Sequence, residues 1–295
     1  MPVSISAQGA IGIRKEASFA SGGLIDSWQV VEQYGLTNNV SHVYQDRIRT
    51  TPEQIGGRAS HSMVSGPIVF PVSPQGPTQW WECGIGGTGP YTPQRPLSSM
   101  AIEAQLGSIG CEMSSGDMIG RLEFSSRQGD ILRCNLNIEA KDMDARTPTT
   151  IPSGAFPSGD DPYLHSEATF TMDGVANPAV TAFSVALENN LITDLLAVGR
   201  ARRDIPATKA VVSGSISILF ENTTYRDRFM NQLPSSIVAL YSRGAKSFKI
   251  ELNRLAYDSD DKPMQSQSDY IVETLNFTAY VDDPTAQNSM KVTVV

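Results

Sequence analysis

Along most of this chain apolar and polar residues alternate with a period of two, the period at which successive side chains of a strand point to opposite faces. The clearest case lies within residues 181–222. There Phe183, Val185 and Leu187 alternate with Ser184 and Ala186, and Val212, Gly214, Ile216, Ile218 and Phe220 alternate with Ser213, Ser215, Ser217 and Leu219. The second run is rich in β-branched residues, which pack well on a pleated surface. Two strands are predicted. The connection between them is about twenty residues long and holds Arg200, Arg202, Arg203, Asp204 and Pro206, whereas hairpin strands are usually joined by about two to five residues. A loop of that length implies a task.

The same arrangement occurs near the amino terminus. A loop with Arg47, Arg49 and Pro52 precedes Val64-Ser65-Gly66-Pro67-Ile68, which echoes Val212-Ser213-Gly214-Ser215-Ile216. Gly66 and Gly214 are 148 positions apart, Asn39 and Asn190 151, Pro52 and Pro206 154, and both loops carry Arg-x-x-Pro at Arg49 and Arg203. Further on, Leu136-Asn137-Ile138-Glu139-Ala140 matches Leu275-Asn276-Phe277-Thr278-Ala279 at an offset of 139. The order of elements agrees in both halves, which reads as a duplication. β-sheet composition repeating itself is the alternative.

Taken in order, residues 1–27 carry little pattern and read as an N-terminal arm, with a first strand over 28–33. Domain 1 then spans 28–143, a Pro- and Gly-containing linker 144–162, domain 2 163–283 and a C-terminal tail 284–295. A short helix is predicted from Thr78, burying Trp80, Trp81 and Ile85. A second places Tyr225, Phe229 and Leu233 on one face, capped by Thr223 or Thr224 and stopped by Pro234. In domain 1 strands are also expected over 100–104, 122–124 and 131–140, with a turn at Gly129-Asp130. In domain 2 a hairpin is expected over 237–252, a solvated loop over 258–267 and a closing strand over 270–281.

Composition narrows the chemistry. The 24 Gly and 18 Pro punctuate short segments, as an all-β chain requires, and 40% hydrophobic residues suffice for a core. With 23 basic and 31 acidic residues the net charge is −8, so the surface repels nucleic acid and a DNA-reading domain is excluded. Cys83, Cys111 and Cys134 are odd in number and lack a CxxC pair, which points to buried, reduced thiols. His42, His61 and His165 share no metal-ligand spacing, and no nucleophile elbow is present. Asp258, Asp260 and Asp261 are followed by Lys262 and Pro263 where a calcium loop needs oxygen ligands and a glycine. Residues 84–89 match G-x-G-x-x-G but lead into prolines, not into a helix, so they read as a loop. No catalytic residue, cofactor or metal is expected, and no apolar run is long enough to span a membrane.

The segments RKEASFASGG, DRIRTTP and VSGPIVF, then GDMIGRLEFSSRQGDILRCNLNIEA and the 181–222 stretch, together resemble the tail tube proteins of long-tailed bacteriophages, over about residues 14–281. The resemblance implies an all-β sandwich or barrel with one flanking helix, here duplicated, closed into rings whose inner sheets line a channel for DNA. It further implies a structural virion protein without enzymatic activity, located in the tail and assembled in the host bacterial cytoplasm. Its partners would be copies of itself, a tape-measure protein and a tail terminator. Residues 40–58 and 191–209 would be ring-stacking loops, making Arg47, Arg49, Pro52, Arg200, Arg202, Arg203, Asp204 and Pro206 the candidate contact residues. A duplicated chain implies a trimeric, pseudo-hexameric ring, and a single-domain chain a hexamer.

The physical chemistry agrees with such a role. A negative wall repels phosphates over about the 8 Å Debye length at physiological salt, which favours passage without sequence-specific binding. On an acidic chain Arg200, Arg202 and Arg203 are read as partners for carboxylates of the next ring, with phosphate ligands and a merely solvated loop as the alternatives. The competing readings are another virion or secretion-tube ring component and, from a different class, a carbohydrate-binding β-sandwich module, which needs exposed aromatics. The only adjacent pair, Trp80-Trp81, is expected in the core.

Overall fold

Alternating β-branched and aromatic residues leave this chain little to form but strands. In the computed structural model, which describes residues 10–45, 55–106, 110–156, 161–196, 198–199, 201–262, 270–282 and 288–295, the protein is all-β with two short helices. The first half runs β1 (Ala10–Lys15), β2 (Ser27–Gln29), β3 (Gln33–Tyr34), β4 (Thr37–Gln45), β5 (Ile55–Pro71), α1 (Gln79–Gly84), β6 (Met100–Leu106), β7 (Gly110–Arg127), β8 (Arg133–Ala140) and β9 (Asp142–Ala145). Two antiparallel sheets share the long strand β7. Its first part pairs with β6 and β9, and β6 continues through β1 to β2. From Met118 onward β7 pairs with β8, which continues through β5 to β4. Between the two parts Gly116 adopts φ +66°, and a Cβ there would lie 2.9 Å from Lys141 Cβ, so the corner requires glycine.

The second half runs β10 (Ala168–Met172), β11 (Val175–Ala176), β12 (Val180–Glu188), β13 (Val211–Leu219), α2 (Thr224–Met230), β14 (Ser235–Arg243), β15 (Lys246–Asp261), β16 (Val272–Ala279) and β17 (Lys291–Val294). Its pairings repeat those of the first. The long strand is β15, joined to β14, β10 and β11 and to β17 in one sheet, and to β16, β13 and β12 in the other. Irregularities recur too: β6–β7 slips between Met100 and Ile102, as β14–β15 does between Ser235 and Ile237. Likewise β7–β8 slips between Ile119 and Arg121, and β15–β16 between Tyr257 and Ser259.

This register explains the echo in the sequence. Gly66 faces Ile138 and Gly214 faces Phe277, the residues that the two sequence offsets bring into correspondence. A Cβ on Gly66 would lie 2.0 Å from the Gly35 carbonyl oxygen, and one on Gly214 2.3 Å from that of Ser184. Both halves bring two backbones too close for any side chain.

The halves join where β12, Ala182 to Glu188, pairs with β7, Arg127 to Arg121. One antiparallel sheet thus runs β4-β5-β8-β7-β12-β13-β16-β15. Behind it lies a single core with a run of aromatic rings. Trp81 stands 5.2 Å from Phe124 and 5.5 Å from Phe248 of the second half, and Phe124 and Phe248 are themselves 5.2 Å apart. Trp80 stacks on Phe70 at 5.3 Å.

Several expectations need correction. Residues 10–15, within the stretch read as an arm, form a buried strand, and the first strand expected over 28–33 is divided between β2 and β3. Residues 291–294, read as tail, pair with Glu251 to Phe248 of β15. The acidic turn at 258–261 is the end of β15, where Asp258 accepts from Thr278 Oγ1 at 2.7 Å and Asp260 pairs with Lys262. Helix α1 buries Trp80, Trp81 and Ile85 as expected. α2 buries nothing completely: Tyr225 and Phe229 only lean on the core, and Leu233 is 50% exposed. Neither threonine caps it by its side chain; instead Asn222 Oδ1 accepts from Thr224 N at 3.0 Å. The physical reason is cover. In the first half the chain after α1 folds back over it, Gln94 N donating to the Ile85 carbonyl and Tyr91 bridging to Val292, whereas α2 is followed almost at once by β14.

Candidate assembly surfaces

The sequence singled out two long loops, and the structure treats them differently. Arg47, Arg49 and Pro52 of the first loop, and Arg200 of the second, lie outside the described residues. Apart from Ala197 and Arg200 the second loop is described. It is laced by short bridges, Leu191 with Ala207 and Leu196 with Arg202, and by Ile192 N to Pro206 O and Arg203 N to Leu195 O.

Arg202 turns inward. It is 3% exposed, lies 2.8 Å from the Glu139 carboxylate of β8, and donates to the carbonyls of Ala140 (3.1 Å) and Val64 (3.3 Å). A buried guanidinium is tolerated only when its charge and donors are taken up. Here Glu139 takes up the charge and the two carbonyls take up Nη1, while Nε is left without a hydrogen-bond partner among the described residues, so Arg202 pins the loop across β5 and β8 of its own chain. Arg203 and Asp204 are exposed, Asp204 capping the Ile205 amide at 2.8 Å, while Ile205 is buried and Pro206 half-buried. Beside these charges the loop exposes large aliphatic side chains, Ile192, Leu195, Leu196 and Val198. The far end of β4 resembles it, with Val40, Val43 and Tyr44 exposed. Large aliphatic side chains gathered at a tip mark a contact surface more than a solvated one. The run Ile192-Thr193-Asp194-Leu195-Leu196-Ala197-Val198 carried that signal in the sequence, but without periodicity it drew less notice than the arginines.

At the base of the loop Asn189 is fully buried. Its Nδ2 donates to the carbonyls of Gly84 and Ile119, both at 2.8 Å, while its Oδ1 accepts from Arg95 at 2.9 Å; Arg95 also donates to the Thr208 carbonyl at 2.8 Å. This side chain locks the end of β12 onto α1. Beside it Arg121 bridges Glu123 and Glu188, tying β7 to β12. None of Asn189, Arg95 or Glu139 was legible as a contact residue, because each acts only after distant strands meet.

Two buried polar groups could be taken for chemistry. Ser126 Oγ lies 3.0 Å from His165 Nδ1 and 2.7 Å from the Tyr241 hydroxyl, and His165 Nε2 is 3.1 Å from the Val180 carbonyl. All three side chains are buried, and Nε2 is engaged by a carbonyl, so the group ties β7 to β14. Asp117 is fully buried with Ser114 Oγ at 2.8 Å; burial first, and the nearby Glu16 charge, raise its carboxyl well above the usual range. Glu16 accepts from the amides of Ala20, Gly22 and Gly116 and from Ser99 Oγ, organising the 16–22 turn.

The three cysteines are buried, and burial pushes the Cys83 thiol up to about 12 and Cys111 to about 11. Among the described residues no group of His, Cys, Asp and Glu is placed to hold a metal, and no helix is long and apolar enough to cross a membrane. Trp80 and Trp81 are in the core, so they offer no platform to a sugar.

A protein-family model described as phage tail tube protein matches residues 6–279. No curated protein matches the chain.

Proposed function

The chain belongs to the phage tail tube protein family, and we propose that it is the major tube subunit of a long-tailed phage, three copies closing a ring and rings stacking around a channel through which the genome leaves. The observation that carries this reading is the eight-strand sheet with its pairing order repeated twice and an unpaired edge at each end among the described residues, β4 on one side and the end of β15 on the other. A sheet open at both edges in an isolated chain is an aggregation hazard; a ring removes both edges. Each chain then counts as two tube-type units, near 28–143 and 163–283 and descended from one duplicated domain, so three chains present six.

Stacking is assigned to the aliphatic tips, Ile192, Leu195, Leu196 and Val198 with Arg203 and Asp204 beside them, and to the first loop with Arg47, Arg49 and Pro52. Many weak repeated contacts give a stable tube by multivalency. The chain's charge of −8 suits passage of DNA without binding sites. A tape-measure protein and a tail terminator are the other partners, and the tail, put together in the host cytoplasm, is the place of function.

Negative-stain electron microscopy with rotational averaging, alongside native mass spectrometry, tests the proposal. Hollow rings or tubes with three chains per ring are expected. Six chains per ring would keep the tube and overturn the paired-unit count, and monomers at every concentration, with tail-assembly partners added, would overturn the tube.

A further inference from the structure

The internal junction is a template for the contact between chains. In the first half the edge of β7 is occupied: Arg121, Leu122 and Glu123 pair with Glu188, Leu187 and Ala186 of β12. The corresponding edge in the second half follows from register. Arg121 faces Asn137 after the slip in β7, and Ser259 faces Asn276 after the same slip in β15; Glu123 faces Asn135 and Asp261 faces Thr274. Ser259, Asp260 and Asp261 therefore hold the places of Arg121, Leu122 and Glu123. Among the described residues nothing pairs with them on the outer side. The counterpart of β12 is β4, where Asn39, Asn38 and Thr37 face Met63, Val64 and Ser65 as Glu188, Leu187 and Ala186 face Val211, Val212 and Ser213. Its outer side is also unpaired among the described residues, and Thr37, Asn38 and Asn39 are exposed.

The groove beside the open edge supplies a second, independent match. It has a volume of about 470 Å³ and is lined by Arg228, Phe229, Met230, Gln232, Leu233, Ala256 and Tyr257. Tyr257 stands by register where Ile119 stands in the first half, one of the two residues whose carbonyls Asn189 reaches. Asn189 has Val40 as its counterpart, next after Asn39 as Asn189 is next after Glu188. Where the internal junction places a polar Asn against carbonyls, the open groove presents the apolar side chains of Phe229, Met230, Leu233 and Ala256 beside Arg228 and Gln232, and the residue that would enter it is an exposed valine. The change on one side answers the change on the other.

We infer that a second copy of this chain adds its β4 to the free edge of β15, Asn39 opposite Ser259 and Thr37 opposite Asp261, with Val40 seated in the groove between α2 and Tyr257. The inference rests on the ring reading above and adds the register and the socket. No like charges face each other in this pairing. A slip by one residue would turn Val40 out of the groove, because neighbouring residues of a strand point to opposite faces.

The test is a pair of cysteines in the full-length chain, N39C with S259C, oxidised with glutathione disulfide after assembly. Directly opposite strand residues have Cα atoms about 4.5–5.5 Å apart, within reach of a disulfide. Covalent trimers are expected on non-reducing denaturing gels, with at least tenfold less product from the slipped pair N38C with S259C and from either single variant. A second measurement uses V40D in the otherwise unaltered chain: the concentration for half-assembly should rise at least tenfold while circular dichroism of the monomer is unchanged. Rings without disulfide-linked chains, equal yield from the slipped pair, or unimpaired assembly of V40D would each overturn the register or socket and leave the ring intact. Absence of rings in the unaltered chain would overturn both.

Discussion

Helices α1 and α2 hold the same place in the two halves, between the second strand of the central sheet and the strand that opens the outer one, yet they meet opposite fates. α1 buries Trp80 at 0% and Trp81 at 4% exposure and touches Phe248 of the other half; α2 leaves Met230 71% and Leu233 50% exposed. The difference lies in what comes next along the chain and beside it. α1 is covered by the segment that folds back through Tyr91 and by β12 arriving with Asn189, while among the described residues no corresponding segment covers α2. The covalent junction thus pairs an edge whose counterpart at the end of β15 is open among the described residues.

Trp81→Ala should give the largest effect. Truncating a fully packed indole costs about 3–5 kcal/mol, while Phe229→Ala, whose ring is partly wet, should cost about 1–2 kcal/mol in the monomer. Urea unfolding of both variants checks this, and equal costs would break the comparison. In assembled material the Phe229 effect should grow, since assembly would bury the ring.

Gly66→Ala and Gly214→Ala probe what the halves share. Each methyl group would meet a carbonyl oxygen of the adjacent strand, at 2.0 and 2.3 Å, so each should cost about 1–3 kcal/mol and the two should be similar. A harmless substitution at either site would show that the repeated close approach is not a constraint.

The smallest effect concerns polarity. Asp117 and Ser114 of the first half hold the places that Leu255 and Leu252 hold in the second, all four buried. Because the Asp117 carboxyl is raised in the folded chain, folding takes up a proton there, and stability is lost as pH rises from the ordinary aspartate value, about 3.9, through the folded one. Asp117→Asn removes this penalty. It should raise the thermal midpoint at neutral pH, with a gain that vanishes below about pH 3.9; a gain independent of pH would mean that the charge is not the cause.

Much of the architecture was legible because it is local. Period-two alternation identified β12, β13 and the 237–252 hairpin, and the echo of Val-Ser-Gly at 64–66 and 212–214 marked positions that turn out to share one register against Ile138 and Phe277. Trp80 and Trp81 were legible as core. The full length of β7 was not, since it crosses a corner at Gly116 where the apolar pattern changes faces, and Ala10–Lys15 was missed because its burial is imposed by β6 and β2. The arginines of the second loop drew attention by charge. Arg202 is nevertheless interior, because Glu139 and two carbonyls from strands more than sixty residues away converge on it.

By itself the sequence determined the fold class and the echo between the two halves, because alternation, turn residues and composition act over a few positions at a time. The tertiary structure alone decided which copy of each repeated element is covered and which is open. That depends on where β12 comes to rest against β7, and on no strand of the same chain coming to rest against the end of β15 among the described residues.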